Sequence, residues 1–179
     1  LSCLTKELDV PTDYFYEFVA SGNSILRALH YPGYFRSEML DNRAVRAAEH
    51  TDINLITLLL GASEKGLQVQ ALNGEWITVN CRPNELVVNV GDMLQRLSNK
   101  RFVSTVHRVV DPSVIDGGLS ESDFQQPRIS IPFFCHPVSN MSLNVLESCV
   151  DRYNPPRFDG ITAGGYLKER LDEIGLKEL

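Results

Sequence analysis

The segment Leu67-Gln68-Val69-Gln70-Ala71 alternates apolar and polar side chains, and Asn73-Gly74 follows almost at once. Strict period-two alternation separates the side chains into two faces only if the chain is extended. Asn-Gly is the preferred pair for a tight hairpin, because both residues tolerate a left-handed backbone. These residues therefore commit the chain to antiparallel sheet, with residues 75–80 as the returning strand. Further strand-like runs cover residues 24–31 (closed by Pro32-Gly33), 53–60, 85–90, 101–110 and 127–134. Helical spacing predicts a helix starting at Pro11 or Thr12 and ending near Ser21-Gly22, a short one capped by Asp92 and running to Ser98, and a last one over 163–174. Residues 33–44 read as a polar loop. Many short strands between terminal helices imply a mainly β, antiparallel sandwich or barrel. The Gly pairs at 117–118 and 164–165 lack the strand-turn-helix setting of a nucleotide-binding loop.

A chain of 179 residues is expected to form one domain over 1–179, burying roughly 70% of its unfolded surface. The 17 Lys and Arg are scattered and the net charge is −6, which argues against nucleic acid as the partner. Every apolar run is far shorter than the ~20 residues that span a bilayer, so no membrane partner is expected. Cys3, Cys81, Cys135 and Cys149 show no Cys-x-x-Cys spacing and are read as free thiols in a reducing cytoplasm. No secretory signal pattern is seen, although the chain opens at Leu1 without Met.

The chemistry centres on Ala47-Ala48-Glu49-His50-Thr51-Asp52. If this stretch is extended, His50 and Asp52 share a face and form two corners of a metal site. His107, within Ser104-Thr105-Val106-His107-Arg108-Val109-Val110, supplies the third. Two imidazoles and one carboxylate on one triangular face, with open positions opposite, favour non-haem Fe(II) that activates oxygen. Twenty-one residues further on, Arg128 and Ser130 share a face by the same parity. The guanidinium fork and the hydroxyl suit the far carboxylate of a small diacid whose other end chelates the metal. Residues 111–126 would let the His107 and Arg128 strands run as antiparallel neighbours, and they read equally as a lid or a surface connection. His30 and His136 read as ordinary histidines, and His136 sits ~20 Å beyond Ser130 along extended chain.

With these residues in place, the chain resembles the catalytic part of the isopenicillin-N-synthase-like family of Fe(II)/2-oxoglutarate-dependent oxygenases. The resemblance is carried by Tyr31-Pro32, His50-Thr51-Asp52, Gly66-Leu67-Gln68-Val69, Gly74-Glu75-Trp76, Val88-Asn89-Val90-Gly91-Asp92, Ser104 to Val109, Arg128 to Phe134, and Ala163-Gly164-Gly165-Tyr166-Leu167. It implies a double-stranded β-helix, or jelly roll, with flanking N- and C-terminal helices. It also implies iron on His50, Asp52 and His107, and 2-oxoglutarate on Arg128 and Ser130. Tyr31 matches a family tyrosine that contacts the cosubstrate. The implied activity couples oxidative decarboxylation of 2-oxoglutarate, with molecular oxygen, to hydroxylation or desaturation of a small molecule. Two alternatives stand beside it: an iron oxidase of the same family that does not use 2-oxoglutarate, and a non-catalytic jelly-roll binding module. Family members carry a longer N-terminal region ahead of the part corresponding to Leu1, and this region is expected to be missing here.

Overall fold

The computed structural model describes residues 1–35, 45–82, 84–115 and 124–176. In chain order the elements are helices α1 (Ser2–Leu8) and α2 (Tyr16–Val19), then strands β1 (Ile25–Leu26), β2 (Leu29–Tyr31), β3 (Tyr34–Phe35), β4 (Val45–His50), β5 (Ile56–Leu60), β6 (Leu67–Gln70), β7 (Trp76–Thr78) and β8 (Leu86–Val90). Helix α3 (Asp92–Leu97), strand β9 (His107–Val110), helix α4 (Pro112–Ile115), strands β10 (Phe124–Gln125), β11 (Arg128–Ser130) and β12 (Pro132–Cys135), and helix α5 (Ala163–Glu173) follow. The strands make two four-stranded antiparallel sheets, β1-β12-β5-β8 and β4-β9-β6-β7, with two-stranded pairs β11-β2 and β10-β3. The long crossovers within each sheet make this a jelly roll, as the resemblance implies.

The Asn73-Gly74 hairpin forms, in a longer version than the two-residue turn. Gly74 N–H donates to the Ala71 carbonyl at 2.9 Å and Gly74 takes φ +86°, so the turn is followed by a left-handed glycine. This is the three-residue hairpin loop, in which the glycine sits after the turn and not inside it. The strand expected over 24–31 is interrupted. β1 pairs with β12 and β2 pairs with β11, so Arg27 and Ala28 carry the chain from one sheet to another pair. The 101–110 run is strand only from His107. Before that, Ser98 bonds within the turn to the Phe102 carbonyl, and Asn99 and Arg101 are held by side-chain bonds to other loops, including three acceptors for the Asn99 amide. β9 lies between β4 and β6, so both its edges are taken and β11 cannot pair with it. Among the first residues, α1 is a separate helix and α2 is a single turn, in place of the one longer helix expected. The loop expected over 33–44 and the connection over 111–126 fall largely outside the described residues, at 36–44 and 116–123.

Two apolar clusters hold the fold. The larger packs Leu8, Phe15, Leu55, Met93, Leu94, Leu97, Met141 and Leu143 between the helices and the β5–β12 end of one sheet. Each of these fully buried side chains contributes about 1.5–3 kcal/mol from removal of apolar surface from water. The smaller cluster, Leu59, Leu67 and Val109, lies between the two sheets. The inter-sheet space is thus only partly filled by apolar side chains, and the rest of it is a cavity with both apolar and charged side chains in its wall.

Candidate metal and cosubstrate site

β4 and β9 bring the two imidazoles together. His50 and His107 are register partners, and their ring centroids are 4.4 Å apart. The β4 side of this pair carries two register shifts, between Val45 and Ala47 and between Ala47 and His50. Bulges of this kind re-aim side chains and terminate pairing, and here pairing ends at His50. Asp52 therefore does not sit on the strand, contrary to the extended-chain expectation. It follows in the bend that leads to β5, where Asp92 N–H holds its carbonyl at 2.8 Å. One Nδ1/Nε2 or carboxylate oxygen from each of His50, Asp52 and His107 lies within 4.8 Å of the other two.

The hydrogen bonds around these groups fix their chemical form. His50 Nδ1 is 2.7 Å from the Ala48 carbonyl oxygen, and His107 Nδ1 is 3.1 Å from that of Thr105. A carbonyl only accepts, so each Nδ1 carries the proton and each neutral ring has its lone pair on Nε2. Asp52 Oδ2 accepts from the Asn89 amide at 3.3 Å. Its Oδ1 stands 3.7 Å from His107 Nε2, too far for a hydrogen bond. Two lone pairs and a carboxylate oxygen, each oriented by a further bond, fit a divalent cation with the open face of a non-haem iron site. His136, half-buried, stays outside this group. Burial pushes its imidazole below the usual range, with the Asp52 charge acting in the opposite direction.

A cavity of about 370 Å³ opens beside the three residues and extends between the sheets to Arg128, Ser130 and Tyr31. β11 presents Arg128 and Ser130 inward and Ile129 outward, as the parity predicts. Arg128 is 1% exposed. Its Nε donates to the Glu64 carbonyl at 3.2 Å, while Nη1 has no hydrogen-bond partner among the described residues. Tyr31, its register partner, places its ring 5.5 Å from the guanidinium carbon. Burial lowers the Arg128 pKa, the direction expected when a cation loses water without gaining an anion. A buried guanidinium with an unused donor calls for an anionic ligand.

Three residues contribute to the site in roles that the sequence reading did not assign them. Asn89 orients Asp52, and its signal was a polar residue on the inward face of β8, whose Leu86 and Val88 point outward. Arg46 lines the cavity too, and its signal was a lone charge inside Val45-Arg46-Ala47-Ala48. Asp92 does not cap α3; Gly91 occupies that position. The Asp92 carboxylate is buried instead, accepting from Thr51 Oγ1 at 3.1 Å and Tyr166 hydroxyl at 3.3 Å, with Arg170 Nε at 3.6 Å. The bend that carries Asp52 is thereby tied to α5, more than a hundred residues away.

Comparisons with known proteins bear on the family and the fold. The 2OG-Fe(II) oxygenase superfamily model matches residues 22–137. The 2-oxoglutarate-Fe(II) type oxidoreductase ppzD of Metarhizium rileyi is 32% identical over 96% of this chain and 47% of its own length. Gibberellin 2-beta-dioxygenase 4 of Arabidopsis thaliana is 31% identical over 98% of this chain and 54% of its own. Among solved structures, a full-length Neurospora crassa protein in complex with alpha-KG superposes with a TM-score of 0.85 at 37% identity, over 97% of this chain and 51% of that one. A 2OG-Fe(II) oxygenase family protein from Caulobacter crescentus gives 0.81 at 43% identity, over 97% and 53%. The chain thus spans about half the length of the relatives it matches. Family match, fold and inward-facing residues agree, and the chain belongs to the 2OG-Fe(II) oxygenase superfamily, in its isopenicillin-N-synthase-like branch.

Proposed function

We propose that this chain carries the iron and 2-oxoglutarate sites of a dioxygenase that oxidises a small organic molecule. His50, Asp52 and His107 hold Fe(II), and Arg128 with Ser130 anchors the far carboxylate of 2-oxoglutarate, beside Tyr31. The observation that carries the reading is the pairing of His50 with His107 in one register position, both with Nδ1 bonded to carbonyls and Nε2 left for a metal. Fe(II) with 2-oxoglutarate supplies oxygen activation and the oxidising equivalents when both are bound.

The chain's own residues do the rest. The carbonyls of Ala48 and Thr105 fix the imidazole tautomers, and Asn89 fixes one carboxylate oxygen of Asp52 so that the other faces the metal. Arg128, dry and half-satisfied, sets the distance at which a dicarboxylate bridges from anchor to metal. The apolar walls Leu59, Leu67 and Val109 exclude water from that bridge. The cross-strand row Phe134–Thr57–Asn89 leads from β12 to Asp52, and Arg27 lies 5.7 Å above the Phe134 ring. These residues line the cavity near the metal ligands and are the places for a substrate to dock. Known relatives include the Neurospora crassa protein, seen also with thymine, and JOX2, seen with 2OG, Fe and JA, so a small-molecule substrate is in keeping with the family. No helix among the described residues is long and apolar enough to cross a membrane. The four cysteines are unpaired, in keeping with a reducing, cytoplasmic setting.

Anaerobic titration of the Fe(II)-loaded protein with 2-oxoglutarate tests the reading through the metal-to-ligand absorption band. The band is expected in the wild type and lost in Asp52→Ala. Succinate release coupled to oxygen uptake then separates a 2-oxoglutarate enzyme from an oxidase that uses the anchor for another anion. No band and no metal retention would overturn the proposal.

A further inference from the structure

Beyond Arg128 and Arg27, the same cavity holds a further guanidinium that nothing above has employed. Arg46 lines it, and its side chain is only 5% exposed. Its Nη2 donates to the Gln126 carbonyl at 3.0 Å and stands 3.9 Å from Asp111 Oδ2. Nε and Nη1 are buried and have no hydrogen-bond partner among the described residues. Asp111, which is fully buried, also accepts from the Tyr34 hydroxyl, and the Arg46 guanidinium carbon lies 5.8 Å from the Tyr34 ring. Tyr34 and Asp111 thus hold Arg46 from one side.

Position in the strand separates Arg46 from the metal ligands. It lies four residues before His50 on β4, between Val45 and Ala47, whose partners are Val110 and Val109. This is the end of the cavity away from the His50–His107 pair. Arg128 is close enough that the Arg46 charge lowers its pKa further. Arg46 and Arg128, two buried like charges in one cavity, repel, and each keeps a donor unused. One Asp111 neutralises one of them, so an anion is still required there. A carboxylate has about four acceptor sites and can serve two guanidinium groups.

We infer that Arg46 is a second cation of the cosubstrate anchor, sharing the far carboxylate of 2-oxoglutarate with Arg128 and making the site selective for dicarboxylic over monocarboxylic 2-oxo acids. This rests on the cosubstrate reading of Arg128 proposed above. A purely structural Arg46, serving only to latch Gln126 and Asp111, would affect both kinds of 2-oxo acid alike.

The test is anaerobic binding to the Fe(II)-loaded protein, read from the metal-to-ligand absorption band, with 2-oxoglutarate and 2-oxobutyrate as ligands. The second ligand keeps the chelating end and lacks the far carboxylate. Arg46→Gln is expected to weaken 2-oxoglutarate by about ten- to a hundred-fold, the loss typical of one charged hydrogen-bond set, and to leave 2-oxobutyrate within about two-fold. Arg46→Lys, which keeps the charge and loses the fork, is expected to show a smaller loss confined to 2-oxoglutarate, and it serves as the test if the Gln variant does not fold. Arg128→Gln is the control. If it loses 2-oxoglutarate selectively while the Arg46 variants lose neither ligand, or both equally, Arg46 is structural and the inference is overturned. If Arg128→Gln shows no selective loss either, the anchor reading itself fails, and the inference with it.

Discussion

Asn89 and Asp52 meet across the cavity wall, the amide of one donating to the carboxylate of the other at 3.3 Å. They belong to different parts of the fold: Asn89 is on a strand of one sheet, and Asp52 is in the bend that leaves β4. Such outer partners of a metal ligand decide which oxygen faces the ion. Asn89→Ala is expected to lower Fe(II) affinity by about 10- to 100-fold, the usual effect of losing an orienting group. The fold should be left intact, since Asn89 is only partly buried. Metal-binding titration against a competing chelator, with circular dichroism as the control, checks both halves.

Asp52→Ala removes a proposed ligand, not its orienter. The loss of Fe(II) affinity is expected to exceed that of Asn89→Ala, at more than about 100-fold. The same chelator titration ranks the two variants, and a smaller effect for Asp52→Ala would contradict the assignment.

Thr51, Tyr166 and Arg170, all partly buried, gather around the buried Asp92 carboxylate. Asp92→Ala leaves the Thr51 and Tyr166 hydroxyls without their acceptor and Arg170 with Glu173 as its remaining carboxylate partner. The expected cost is about 2–4 kcal/mol, from the unsatisfied donors left behind. The bend that carries Asp52 should loosen with it. Urea unfolding measures the first effect and Fe(II) titration the second.

Gly91 has no room for a side chain: a Cβ there would lie 2.0 Å from the Asn54 carbonyl oxygen. Gly91 N–H also donates to the Leu55 carbonyl. Gly91→Ala must push apart two backbones, so a destabilisation of about 1–3 kcal/mol or more is expected. Because Asp92 N–H holds the Asp52 carbonyl, metal affinity should fall in the same variant. Thermal unfolding with and without Fe(II) checks this.

Burial, with the neighbouring carboxylate adding to it, pushes the Tyr34 phenol up to about 12 beside Asp111 and the Tyr166 phenol up to about 12 beside Asp92. A folded pKa above the ordinary value of 10 favours the protonated, neutral phenol in the native state. The resulting stabilisation is complete below pH 10 and is lost as pH rises through 12. The unfolding midpoint should therefore fall between pH 10 and 12. Phenolate absorbance should show Tyr34 and Tyr166 titrating later than exposed tyrosines, and Tyr34→Phe and Tyr166→Phe should each remove one late step.

The hairpin at Asn73-Gly74, the inward parity of Arg128 and Ser130, and the closing helix were all readable from residue order, because each depends only on local backbone geometry. So was the identity of the metal-ligand candidates, because imidazoles and carboxylates at such positions carry a chemical signature of their own. Local order did not determine how they come together. Alternation assigned Asp52 to a strand, but two register shifts in β4 end the pairing at His50 and leave Asp52 to a bend pinned by α3 and α5. Strand parity also says nothing about which strands become neighbours, so β9 was wrongly paired with β11, and Asn89, Arg46 and Asp92 had no visible partners. Those partners lie between 37 and 80 residues away in sequence. Contacts at such separations depend on how the sheets fold over one another, and only the tertiary structure decides that.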